Sequence, residues 1–176
     1  IAGENIAFMP GISAFVGADI VAGVYALKLC SQENKNKVSL LIDLGTNGEM
    51  ALGNAKKLLV SATAAGPAFE GRSISPMDGT DLIDITAELV KQGILEETGL
   101  MVEPYFEQGY QYRNNTVTQE DIRALQMAKA AICAGIRIMM REYPITPEAI
   151  DTVYLAGGFG YYLDTNSAAI IGLIPE

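Results

Sequence analysis

The 176-residue chain contains no histidine and no tryptophan, and it has only two cysteines, Cys30 and Cys133, set far apart. Without imidazole and with so few thiols, no zinc or haem ligand set can be assembled. The cysteine spacing is not that of a disulfide scaffold, so a reducing, cytoplasmic location is expected, with each cysteine a small buried hydrophobe. Basic residues are scarce as well: 12 against 21 acidic ones, a net charge of −9. That charge repels phosphate backbones and anionic lipid surfaces, which argues against nucleic acid and membrane as partners. Long apolar runs are missing too. The best candidate, Ile12 to Leu29, carries Asp19 near its middle and is broken by Gly17 and Gly23. A carboxylate at the centre of a membrane helix costs roughly 2.5–3.5 kcal/mol. There is no basic leader or small-residue cleavage site in front of it, so the segment reads as a buried loop and helix.

What remains is 49% apolar residues, enough to bury about two-thirds of the unfolded chain's surface in one compact domain spanning residues 1–176. The chain starts at Ile1 rather than Met and stops at Ile174-Pro175-Glu176 directly after an apolar run. It is therefore expected to be part of a longer protein. No internal repeat or low-complexity segment interrupts it.

Hydrophobic spacing predicts a helix over Ala18 to Leu29, closed by the polar stretch Ser31 to Lys37. Val38 to Leu44, Met50 to Leu52 and Lys57 to Val60 read as three short strands of an antiparallel meander, joined by turns at Gly45-Thr46-Asn47-Gly48 and Gly53-Asn54. Thr80 is a candidate N-cap for a helix burying Leu82, Ile85, Leu89 and Val90, with Gly93 as its stop. A longer helix from Thr118 to about Arg141, with a Thr118/Asp121 capping box, places Ile122, Leu125, Ile132, Ile136 and Met139 on one face. Its methionines are expected to fill core. Thr146-Pro147-Glu148 opens a short helix. Thr152 to Ala156 reads as a strand, Gly157 to Gly160 as a loop, and Asp164 to Ile171 as a final helix. This order predicts an α/β layer fold.

Three constellations can carry chemistry. Asp43 ends an apolar strand and leads into Gly45-Thr46-Asn47-Gly48. Glycines let main-chain N–H groups approach phosphate oxygens, and the carboxylate can hold Mg²⁺ through water or orient an attacking water. An ordinary Asn-Gly hairpin explains the same turn. It does not explain a charge in an apolar strand. Gly157, Gly158, Phe159 and Gly160 follow the last strand and offer bare backbone to a flat ligand, but not in the dinucleotide fingerprint, because the third required glycine falls on Leu163. Ser61 to Gly71 is a run of small residues suited to a close contact, with Gly66 and Glu70 as candidate ligand or partner contacts. A tight crossing of two elements explains this run equally well. Asp19, after the Gly17 turn, either contacts metal or caps its helix, and capping is the simpler reading.

In sequence, Phe15 to Asp19, Leu41 to Glu49, Thr63 to Gly71, Thr118-Gln119 with Asp121 to Arg123 and Ala128 to Ile132, and Ala156 to Gly160 resemble the C-terminal region of the reductive activators of corrinoid proteins, over nearly the whole chain. The resemblance implies a ribonuclease H-like lobe of the actin, Hsp70 and sugar kinase ATPase fold, a mixed sheet with flanking helices. It implies that Asp43 to Gly48 is the second phosphate loop and Gly157 to Gly160 the adenosine loop, binding ATP with Mg²⁺. The family's first phosphate loop and its plant-type [2Fe-2S] domain lie upstream of this region, so the chain would hold half of a nucleotide site and be inactive alone. ATP hydrolysis in the intact protein would drive reduction of Co(II) to Co(I) in a corrinoid protein or corrinoid methyltransferase, with a homodimer as a further option. Two other readings stand beside it: a non-catalytic docking or dimerisation module for a corrinoid protein, and a sugar-kinase-like phosphotransferase lobe. The chain departs from the family pattern after Gly71, where the stretch to Thr80 is short, and this bears on any contact assigned to Glu70.

Overall fold

The computed structural model describes residues 9–13, 15–66 and 79–174. Its centre is a four-stranded mixed sheet whose neighbouring strands are, in order, Leu58–Thr63, Gly48–Gly53, Ser39–Leu44 and Thr152–Ala156. Strands β1 (Ser39–Leu44), β2 (Gly48–Gly53) and β3 (Leu58–Thr63) form the expected antiparallel meander. Strand β6 (Thr152–Ala156) lies parallel to β1, with Ser39 opposite Thr152 and Asp43 opposite Ala156. A small hairpin of β4 (Tyr110–Tyr112) and β5 (Asn115–Val117) stands apart from this sheet.

The two-residue period of the strands sorts their side chains onto two faces. Leu40, Ile42, Leu44, Met50 and Leu52 join the main core. This side is covered by α2 (Gly79–Lys91), α4 (Gln119–Glu142), α5 (Gly157–Tyr162) and α6 (Thr165–Ile170). The opposite face carries Leu41 and Ala51 under α1 (Ala18–Ala26). A further short helix, α3 (Tyr105–Gln108), precedes the hairpin.

Helix α4 forms as its sequence requires. The Thr118 side chain accepts from the Asp121 N–H, and the Asp121 carboxylate accepts from the Thr118 N–H at 2.8 Å. Ile122, Leu125, Ile132, Ile136 and Met139 are all buried. Two glycines allow α4 to lie unusually close to the sheet. A β-carbon on Gly48 would collide with Ile132 Cδ1, and one on Gly135 would run into Met50 and Thr63.

Some sequence expectations need correction. Residues 157–160 do not form a loop; they open α5. Thr80 lies inside α2, which begins at Gly79, so it is not the N-cap. Val90 is exposed because, one residue past Leu89, it is turned about 100° around the helix from the buried Leu82, Ile85 and Leu89 stripe. The segment up to Leu29 is not a buried helix: Phe15 and Tyr25 are 79% and 78% exposed. Neither cysteine is a core residue. Cys30 is exposed in the turn after α1, and Cys133, one position past the buried Ile132, is half-buried, its thiol facing the Gly172 carbonyl at 3.2 Å. On α4, Met139 is buried but Met127 lies on the outer face, largely exposed. No helix among the described residues is long and apolar enough to cross a membrane.

Candidate functional site

Parallel pairing of β1 and β6 brings their carboxyl ends side by side, the place where open α/β sheets bind ligands. Asp43 is the last residue of β1 on the α1 face, and β6 at this level passes directly into Gly157. Gly157 has φ +84°, and a β-carbon there would come within 2.6 Å of Asp43 Oδ1 and 3.1 Å of the Leu44 carbonyl. Only glycine lets the β6–α5 junction close down over the carboxylate in this conformation. The two bends that sequence places more than a hundred residues apart are therefore neighbours.

Around them, bare main chain accumulates. A β-carbon on Gly158 would meet nothing within 4 Å, and one on Gly45 only the Asn47 carbonyl at 3.7 Å. Thr46 and Asn47 are exposed, at the tip of the β1–β2 bend. Gly66, with φ +78°, donates its N–H to the Thr46 carbonyl at 2.9 Å, so the small-residue run returns to the same bend. Gly48 and Gly160 have packing reasons to be glycine: Gly48 sits beneath Ile132, and a β-carbon on Gly160 would lie 3.3 Å from the Leu155 main chain. Phe159 packs against the main core. Glu70 lies outside the described residues.

The sequence did not reveal how many carboxylates meet here. Glu49 pairs with Asp43 across β1 and β2, on the same face. Its Oε1 accepts from the Gly17 N–H at 3.1 Å, which ties the start of α1 to the sheet. Asp19 is not the cap of α1; Gly17 occupies that position, and Asp19, in the first turn, accepts from the Ile20 N–H at 2.9 Å. It lies close enough to act electrostatically on both Asp43 and Glu49. The period-two alternation of β1 and β2 was the available signal for Glu49, since it sets 43 and 49 on one face. The approach of Asp19 spans α1 and two strands and has no local signature.

Burial, and then the Asp19 charge, push the Asp43 carboxyl above its ordinary 3.8. Glu49 is pushed above 4.5, first by burial; the Gly17 N–H opposes this, while a hydrogen bond that its protonated form donates to Asp19 and the charges of Asp19 and Asp43 add to it. The folded state thus holds these protons more tightly than the unfolded chain does. Their contribution to stability is complete below the ordinary carboxylate values and is lost as pH rises through the raised ones. The difference in urea midpoint between wild type and Asp43→Asn should accordingly move in favour of the variant as pH is raised from 3.8 upward. A pH-independent difference would show that neither burial nor the Asp19 charge raises the Asp43 carboxyl in the folded state.

Among the described residues, no group of three or more acidic or thiol side chains is spaced to cage a metal ion by itself. Mg²⁺ does not need such a cage, because it is usually held by one or two carboxylates with phosphate oxygens and water. Unrelieved negative charge at Asp43, next to bare main chain, fits that mode of binding.

Comparison with known proteins decides the family. The sequence profile of the C-terminal domain of RACo, the ASKHA domain, matches residues 37–78 and 75–176. The chain belongs to this family. The solved reductive activator for corrinoid, iron-sulfur protein superposes with a TM-score of 0.81 at 33% identity, covering 96% of this chain and 34% of the activator. Corrinoid activation enzyme RamQ of Eubacterium limosum is 29% identical over 228 residues, covering 98% of this chain and 38% of the enzyme. The [Co(II) methylated amine-specific corrinoid protein] reductase of Methanosarcina barkeri is 24% identical, covering 94% and 39%. The chain therefore spans well under half the length of these relatives. The ribonuclease H-like, actin-type lobe expected from the sequence is the fold of the family. The 228-residue alignment is longer than the 176-residue chain, so RamQ carries residues with no counterpart here. The family match falls in two segments that overlap at 75–78, within the stretch after Gly71.

Proposed function

We propose that this chain is the ATP-binding lobe of a reductive activator, in which ATP hydrolysis drives reduction of Co(II) to Co(I) in a corrinoid protein. One observation carries the reading: Asp43 at the end of β1 lies against Gly157 at the end of the neighbouring parallel strand, with the Gly45–Asn47 bend beside it. The membership and the names of the relatives supply the corrinoid part of the proposal.

Each residue has a distinct task on this reading. The main-chain N–H groups of the 45–48 bend donate to phosphate oxygens, and Gly66 holds that bend in place through Thr46. Gly157 and Gly158 give the nucleoside a surface without side chains. Asp43 holds Mg²⁺, directly or through water, or orients the attacking water. Glu49 fixes the start of α1 and with Asp19 keeps the local field negative, which favours a cation beside Asp43. When bound, Mg²⁺ supplies charge neutralisation to the phosphates. The [2Fe-2S] cluster and the first phosphate loop belong to other parts of the longer polypeptide on this proposal, and the partner is a corrinoid protein or corrinoid methyltransferase.

The test is nucleotide binding by the complete polypeptide that carries this lobe. MgATP at a hundred times its dissociation constant should stabilise it by about 2.7 kcal/mol, read as a rise in thermal midpoint, and EDTA should remove most of the gain. No shift with MgATP would set the nucleotide reading aside.

A further inference from the structure

A cleft of about 490 Å³ lies on the other side of the molecule's core, between α2, α4, α6 and the 94–101 connection. Its volume is that of a small-molecule pocket. Val90, Leu95, Ile122, Leu125, Ile170 and Ile171 form its walls. Neither Asp43 nor any of the glycines assigned to the nucleotide lines it.

The one cation lining the cleft lacks a counterpart among the described residues. Lys129 is half-buried among these apolar side chains and makes no ion pair with a described residue. The neighbouring polar side chains are committed. Thr86 donates to the Leu82 carbonyl at 2.7 Å, and Gln126 donates to the Thr98 carbonyl and accepts from Arg123. Glu96 and Glu97 are exposed, in the connection that Arg123 and Gln126 hold against α4. Lys129 stands three residues further along α4, about one turn away from that connection, and its Nζ lies near Gly172, where a β-carbon would be 3.3 Å from it. No ion pair joins Lys129 to the acidic rim.

We propose that this cleft binds a small amphipathic anion, its apolar body against Ile122, Leu125 and Ile170 and its carboxylate or phosphate on Lys129. The acidic rim turns the anionic end of such a molecule inward, toward the lysine. Burial of the apolar body supplies most of the binding free energy, and the charge-assisted hydrogen bond fixes its orientation.

Sodium octanoate, with octylamine as the charge-reversed control, tests the proposal by methyl NMR on the complete polypeptide that carries this lobe. Octanoate is expected to shift the methyls of Ile122, Ile170 and Ile171 in a saturable way. Lys129→Gln should weaken it about tenfold and Lys129→Arg should keep most of the affinity. Lys129 is only half-buried and outside the hydrophobic core, so both variants should fold, which the unchanged methyl spectrum without ligand would verify. Equal or tighter binding of octylamine, shifts confined to other surfaces, or unchanged affinity in Lys129→Gln would each overturn it.

Discussion

Replacing Asp43 with alanine should lower ATP turnover by the complete polypeptide by about a hundredfold to a thousandfold, the usual cost of removing one preorganised electrostatic group from a reacting phosphate. The effect should not come from unfolding. Asp43 carries a charge that burial and Asp19 both disfavour, so its loss relieves repulsion in the folded state. Wild type and variant can be compared at neutral pH by urea unfolding and by steady-state turnover at varied Mg²⁺. The expected pattern is a variant at least as stable as wild type, with turnover that excess Mg²⁺ does not restore. Asp43→Asn keeps the size of the side chain and removes its charge, so it should resemble the alanine variant if the charge matters. Turnover unchanged in both would end the role assigned to Asp43, whatever the fold.

Ile132→Ala should destabilise the chain by about 3–4 kcal/mol, in the range for a fully buried isoleucine that leaves a cavity, and lower the thermal midpoint by roughly 10 °C. Ile132 is completely buried, and its Cδ1 fills the space where Gly48 would carry a β-carbon. That relation supplies an internal control. Gly48→Ala alone forces Ile132 aside and should destabilise. In the Ile132→Ala background, the added methyl enters vacated space, so the double variant should be more stable than the sum of the two single changes implies. Strict additivity would mean that α4 does not rest on the β1–β2 bend. Because the same bend carries the N–H groups proposed to meet phosphate, MgATP affinity should fall together with stability in Ile132→Ala.

Legibility in the sequence followed the range of the interactions. The meander, with its Asn-Gly turn, and α4, with its capping box, announce themselves within a few residues, and both formed as read. Helix α5 did not, because three glycines in four residues speak for a loop; Gly157 takes the left-handed conformation and Gly160 lies against Leu155, so the helix begins in spite of its composition. The β4–β5 hairpin showed in sequence only as a pair of tyrosines around Gln111. Asp43 was conspicuous as a charge in an apolar strand. Its neighbours Asp19 and Glu49 were not, since the bond from Gly17 to Glu49 joins residues 32 positions apart. Cys30 and Cys133 were misjudged because residue type was used where position on a helix or turn decides.

Strand β6 has a hydrogen-bonded neighbour on one side only among the described residues, yet it carries Gly157 and Gly158 to Asp43. A strand tethered along a single border frays sooner than one enclosed between two. Amide exchange should therefore open Thr152 to Ala156 ahead of β1, and each such opening would dismantle the proposed binding surface while most of the domain stays folded. Occupation by a nucleotide would then close this border, slowing exchange there more than anywhere else in the sheet.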